Sequence, residues 1–171
     1  MLRTGDQYRD SIRDGREVWV DGKKVEDVPS HPVFKPIVDI RARIYDMAKE
    51  SKFTKKLTYV DKDSGEQNCI GSKLPRTQND WSLKREAIKT IMYEVGAVVT
   101  RVGDETAGEM WSLYDGTDIL NEVDPRFGEN IANHIQNVLE NDIFHVSGNT
   151  DPKGDRSKLP QDQDPDMLLH A

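Results

Sequence analysis

Three stretches of this chain, near residues 32–49, 79–99 and 125–140, repeat apolar side chains at three- and four-residue steps. That spacing puts the apolar residues on one face of a helix and leaves little room for any but a helical fold. In the first stretch Val33, Ile37, Ile40, Ile44 and Met47 form one stripe, so the pattern predicts a helix from about Pro32 to Lys49, preceded by Ser30 and with Pro36 near its start. Its other face carries Arg41, Arg43, Asp46 and Lys49 and reads as solvated. In the second, Asn79-Asp80-Trp81-Ser82 opens a helix through roughly Val99, with Leu83, Ala87, Ile88, Ile91 and Val95 on one side. In the third, Asp124 caps a helix that has Pro125 at its first position and runs to about Glu140. Phe127, Ile131, Ile135, Val138 and Leu139 are its apolar side.

Shorter signals fill the gaps. Thr4-x-x-Gln7 is a capping box that starts a short helix closed by Gly15, with Tyr8 and Ile12 facing inward. Asp21-Gly22 between Val18-Trp19-Val20 and Lys23 to Glu26 supplies the two positive φ angles of a tight hairpin turn. A second hairpin pairs Leu57 to Val60 with Gln67 to Ile70 across Asp-Lys-Asp-Ser-Gly. Val102-Gly103 interrupts the second long helix, a further helix spans Asp104 to Tyr114, and Asp115-Gly116 ends it.

The run Ile143 to Ser147 reads as a last strand leading into Asn149-Thr150-Asp151-Pro152-Lys153-Gly154-Asp155-Arg156-Ser157. Pro152 and Gly154 keep that turn out of a helix, while its charges and backbone N–H groups suit an anionic or polar cofactor edge. Its plainer reading is a solvated loop. These features divide the chain into a helical domain with two hairpins over 1–149 and an extended polar segment over 150–171. The second part, with Pro160, Pro165 and Gln-Asp-Gln-Asp-Pro-Asp, cannot bury a core, and Met167-Leu168-Leu169 reads as the start of a strand.

Hydrophobic residues make up 35% and charged residues 32% of the 171, a balance that suggests a domain leaning on a partner for part of its core. The net charge of −7 disfavours nucleic acid and anionic membrane as partners. Cys69 stands alone, which excludes an internal disulfide or a multi-cysteine metal site built by one copy, and it reads as a half-buried thiol in a strand. With no signal-peptide core and no run of transmembrane length, a cytoplasmic protein is expected.

Taken in order, the opening helix and Asp-Gly hairpin, Ser30-His31-Pro32 before the long helix, the helix ending near Arg101, and Thr150-Asp151-Pro152-Lys153-Gly154-Asp155-Arg156-Ser157 resemble a known family. It is the N-terminal region of the 4-hydroxyphenylacetate 3-monooxygenase family, which also includes 4-hydroxybutyryl-CoA dehydratase. The resemblance implies a mainly α fold with small β-hairpins, the N-terminal helical domain of an acyl-CoA dehydrogenase-like fold. Full members are about three times longer, with a middle β domain and a C-terminal helical bundle. The chain would then be a fragment, or a small subunit that docks on a larger one carrying those regions.

In the monooxygenase branch, FAD reduced by a separate flavin reductase diffuses in and is used with oxygen to hydroxylate a phenol. The resemblance puts Arg101 on the arginine of the family's Arg-x-x-x-Tyr substrate motif, with Glu105 in place of the tyrosine. A helical ion pair between Arg101 and Glu105 is the bland alternative. Ser147 falls where the family has its catalytic histidine, and His145, two residues earlier and on the same strand face, is the nearest substitute. The implied catalytic residues are Arg101 and His145, and the substrate contacts Arg101, Glu105 and Ser147. The implied flavin contacts are Ser147, Gly148, Asn149, Lys153, Gly154, Asp155 and Arg156, although Asp155 and Arg156 could equally form a local salt bridge. No metal is implied. The two cysteines that hold the dehydratase iron–sulfur cluster correspond to Ala97 and Arg101 here, so thiolate ligation is ruled out. Three functions remain in play: part of a reduced-FAD-dependent aromatic monooxygenase, a flavin-dependent lyase or isomerase without an iron–sulfur cluster, or a non-catalytic structural or regulatory subunit.

Overall fold

The computed structural model describes residues 2–62, 64–96, 104–143, 157–159 and 162, with the backbone alone at 104–106. Among them the order is α1 (Gly5–Ser11), β1 (Trp19–Val20), β2 (Lys23–Lys24), α2 (Lys35–Lys49), α3 (Ser51–Leu57), β3 (Thr58–Val60), β4 (Gln67–Cys69), α4 (Gln78–Val95), α5 (Asp104–Asp115), α6 (Thr117–Val123) and α7 (Pro125–Asn141). A 3₁₀ turn at Ile70–Ser72 leads from β4 toward α4. The fold class is the one expected, mainly helical with two small antiparallel hairpins.

Local chemistry explains the ends. The Thr4 hydroxyl accepts from the Gln7 amide at 3.1 Å, and the Gln7 side chain accepts from the Thr4 amide at 2.8 Å, so two of α1's orphan donors are satisfied reciprocally. The helix stops at Ser11, four residues short of Gly15. In the first hairpin Asp21 (φ 49°) and Gly22 (φ 74°) both take the left-handed region, pairing Trp19 with Lys24 and Val20 with Lys23. In the second, Thr58 pairs with Cys69 and Val60 with Gln67, and the Asp61 carboxylate accepts from the Ser64 amide at 2.9 Å to close the turn.

The stripe expected on α2 holds at Ile44 and Met47, which lie in or against the larger core, and is corrected at its start. The helix begins at Lys35, not Pro32, with Phe34 at its N-cap and no side-chain cap from Ser30. Val33 is 60% and Ile37 45% exposed, while Val38, Ala42, Tyr45, Met47 and Ala48 are buried. The cause is a close helix crossing: a Cβ built on Gly5 of α1 would lie 2.6 Å from the Ala42 carbonyl oxygen, so only small residues fit there. The face that was read as solvated carries Arg41, which is partly buried in a cavity wall.

The second long helix also differs. A capping box of Thr77 and Asp80 starts it at Gln78, and Gly96 (φ 72°) closes it after Val95, four residues before Val99. Asp80, Lys84, Ala87 and Ile91 are buried, whereas Leu83 is exposed. The helices α3 and α6, each seven residues long, carry no periodic signal of their own and went unread in the sequence. On α7 the cap is as expected, with Asp124 accepting from the Arg126 amide, but Phe127 is exposed and Gly128 is buried. The Gly128 amide donates to the Asn121 side chain of α6 at 2.9 Å, which fixes the α6–α7 corner.

Two cores result. The larger joins Leu2, Met47, Ala48, Leu57, Ile70, Ala87 and Ile91, and the smaller joins Met110 of α5 to Ile135 and Val138 of α7. Among the described residues no helix is long and apolar enough to cross a membrane.

Candidate functional site

Most residues singled out by the sequence lie outside the described part of the molecule: Arg101, His145, Ser147, Gly148, Asn149, Lys153, Gly154, Asp155 and Arg156. So do Ala97 and all of the expected last strand except Ile143, which is not in a strand. Glu105 belongs to the first turn of α5, and only its backbone is described.

The described side chains enclose a cavity of about 90 Å³ between α2, the β4 end, α4, α5 and the end of α7. Its walls are mostly aliphatic, but Arg41, Lys84, Cys69 and Asp142 also line it. Burial pulls the Arg41 guanidinium below its ordinary pKa, partly offset by Tyr8 and Tyr45. Lys84 is only 6% exposed, and its ammonium donates to the Gly71 carbonyl at 2.6 Å. Burial pushes the Cys69 thiol up to about 11, so it stays protonated at neutral pH and is a poor nucleophile. Cys69 is thus the half-buried strand thiol that was expected. Among the described residues no group of His, Cys, Asp and Glu could hold a metal ion.

Asp142 ends α7 in the left-handed region (φ 45°, ψ 50°), a conformation that costs a non-glycine residue roughly 1–2 kcal/mol and that Asp and Asn tolerate best. It is held from the far end of the chain. Arg3 donates to the Asp142 carbonyl from Nε at 3.0 Å and from Nη2 at 2.7 Å, and the Arg3 amide donates to the Asp142 carboxyl at 3.0 Å. The Tyr45 hydroxyl donates to the same carbonyl at 2.9 Å. The Arg3 guanidinium lies 4.9 Å from the centre of the Tyr45 ring, which stacks on Tyr8 at 5.1 Å. Nothing in the sequence joined Arg3, Tyr45 and Asp142. A polar residue just past a long helix is the one local sign that such a cap exists.

Burial raises the Asp142 carboxyl above the usual range, against the pull of Arg3. A raised carboxyl favours the fold below its ordinary pKa and loses that advantage as pH rises through the raised value. Asp142→Asn keeps an acceptor for the Arg3 amide and the tolerance for this backbone. It is therefore expected to raise Tm by a few degrees at neutral pH, with the gain vanishing in acid, as Tm measured against pH would show.

Residues 4–171 match the family described as 4-hydroxyphenylacetate 3-hydroxylase N terminal. The chain is 27% identical over 170 residues to the oxygenase component of 4-hydroxyphenylacetate 3-monooxygenase of Thermus thermophilus, covering 99% of this chain and 34% of that one. It is 28% identical to the 4-hydroxybutyryl-CoA dehydratase/vinylacetyl-CoA-Delta-isomerase of Clostridium aminobutyricum, covering 99% of this chain and 35% of that one. A solved structure of a 4-hydroxyphenylacetate 3-monooxygenase oxygenase component, complexed with FAD and 4-hydroxyphenylacetate, superposes with a TM-score of 0.80 at 26% identity, covering 94% of this chain and 33% of that one. The chain spans about a third of the length of these relatives. A match over all but the first three residues, together with the shared fold, places this chain in the 4-hydroxyphenylacetate 3-hydroxylase N-terminal family.

Proposed function

We propose that this chain forms one wall of the substrate and flavin cavity of a reduced-FAD-dependent monooxygenase that hydroxylates a phenolic or related small aromatic compound. The observation that carries this reading is the likeness, along 94% of the chain, to an oxygenase component complexed with FAD and 4-hydroxyphenylacetate. A middle β domain and a C-terminal bundle, whether on the same polypeptide or on a larger partner subunit, supply the other walls, and a separate flavin reductase supplies reduced flavin.

The cavity of about 90 Å³ is too small for a flavin, since sites for ligands of that class run to roughly 300–1,000 Å³. The fitting donor set is instead that of Ser147, Gly148, Asn149, Lys153, Gly154, Asp155 and Arg156. There Gly148 and Gly154 admit close backbone approach, and Lys153 and Arg156 offset negative charge. The chemistry that reduced FAD supplies when bound is the reductive activation of dioxygen. Arg101 holds the phenol oxygen and stabilises negative charge on it, and His145 takes or returns the phenol proton. Ser147 offers a hydroxyl to the substrate. Glu105, when ionised, only accepts, so it pairs with Arg101 or receives a hydrogen bond from a substrate hydroxyl or amine.

Glu105 and Ser147, standing where the family has tyrosine and histidine, favour a second reading in which the substrate differs from hydroxyphenylacetate or the chain is non-catalytic. Assembly with the polypeptide carrying the remaining regions separates these readings. The assembled protein is expected to bind reduced FAD and oxidise it with oxygen and a phenol, whereas this chain alone binds FAD weakly or not at all. Arg101→Ala and His145→Ala should each lower product formation at least about tenfold in that assembly. Unchanged product yield in both variants rejects the two assignments, and flavin binding without turnover on any phenol establishes the non-catalytic reading.

A further inference from the structure

The clamp on Asp142 holds a backbone atom, not a charge. Three donors, two from the Arg3 guanidinium and one from the Tyr45 hydroxyl, converge on one carbonyl oxygen at 2.7–3.0 Å. The carbonyl oxygen lies in the rigid plane of the peptide that joins Asp142 to Ile143, so fixing it fixes the orientation of that plane. The amide side is fixed as well, because the Asp142 and Ile143 N–H groups both donate to the Val138 carbonyl, the latter at 3.2 Å. Arg3 in turn is held at its far end by the Ser11 hydroxyl, which accepts from Nη1 at 3.0 Å, and by the Tyr45 ring. A lysine could offer one donor direction here, but not the planar fork that grips a single oxygen from two nitrogens.

We propose that Arg3 is a positioning residue: by clamping the Asp142 carbonyl it fixes the peptide plane between Asp142 and Ile143 from which the chain leaves α7, three residues before His145 in the sequence. The link to substrate and flavin rests on the function proposed above, while the clamp itself does not. Arg3 touches no reacting atom in this scheme. Its work is to hold the last described peptide of α7 in one orientation.

The test uses the full-length oxygenase or the complete assembly, with Arg3→Gln, Arg3→Lys, Tyr45→Phe and, as a control, Arg13→Gln, which removes an exposed ion pair with Asp10 and Asp27. Amide hydrogen exchange of the peptide covering residues 141–150 is read without flavin, followed by the dissociation constant for reduced FAD and kcat/KM with the phenol. Arg3→Gln is expected to speed exchange of that peptide by about tenfold or more and to weaken flavin binding and kcat/KM by a similar factor, as loss of charge-assisted hydrogen bonds implies. Arg3→Lys recovers part of each loss, and Arg13→Gln changes none of them. Tyr45→Phe keeps the ring stack and removes one donor, so it gives a smaller change of the same sign and serves if Arg3→Gln does not fold. Exchange unchanged in both Arg3→Gln and Tyr45→Phe, or raised equally by Arg13→Gln, overturns the proposal. Faster exchange with unaltered flavin affinity and kcat/KM overturns it too. A parent assembly that binds no FAD overturns the proposed function instead, and the exchange comparison still decides the clamp.

Discussion

Asp80→Ala is expected to destabilise the fold by about 3 kcal/mol, a fall in Tm on the order of 10 °C. The carboxylate is 6% exposed and serves several groups at once. One oxygen accepts from the Arg76 amide at 3.1 Å, the Thr77 amide at 2.9 Å and the Thr77 hydroxyl at 2.8 Å, while the other pairs with Lys73. Alanine leaves two backbone donors without their acceptor and removes the negative charge from the first turn of α4. Lys73 is the more exposed partner and turns to water, which keeps the loss near the lower end of what breaking a buried pair costs. Asp80→Asn separates the two roles: its oxygen remains an acceptor for the Arg76 and Thr77 amides while its NH2 gives up the ion pair with Lys73, which turns to water, so about 1 kcal/mol is expected. Thermal unfolding of the two variants side by side checks both. An alanine variant within 2 °C of the parent would show that the cap and the ion pair are not needed, that figure being roughly the smallest shift one kcal/mol gives in a chain of this size.

Met47→Ala is expected to cost a similar amount, about 3 kcal/mol, by a different route. Met47 is fully buried and lies in the cluster that joins Leu2, Leu57, Ile70 and Ile91, so the lost volume opens inside the larger core. Replacement by leucine conserves volume and should cost less than about 1.5 kcal/mol. Urea unfolding distinguishes this from a surface effect: the midpoint falls at unchanged slope, and the alanine variant falls at least twice as far as the leucine one.

How much the sequence disclosed followed from how local each signal was. The Asp21-Gly22 hairpin and the Thr4–Gln7 and Asp124 caps were legible because neighbouring residues alone enforce them. The start of the buried face of α2 was misjudged because α1 crosses it at Gly5, and a crossing that tight suits Ala42 better than a residue as large as Val33 or Ile37. Apolar periodicity weighs side-chain bulk, and such a contact is made by the lack of it. Thr77 was overlooked in favour of Asn79 because the capping box puts Asp80 inside the helix, where an aspartate looks like a cap itself. The short α3 and α6 owe their helicity to packing, since two turns are marginal in water. At the candidate site the family motif was readable as residues in order, but Arg3, Tyr45 and Asp142 meet only in the folded chain, 139 residues separating the first from the last.

That span has a consequence for how the protein comes into being. Ribosomes add roughly 5–20 residues per second, so Arg3 waits about 7–28 s after its own synthesis before Asp142 has been joined to the chain. Until then Leu2 lacks the tether beside it, and the strip of core it covers is open to chaperones and to other nascent chains. Because Arg3 is made before α7 and bonds to its end, the contact closes a long loop and waits until α7 has emerged.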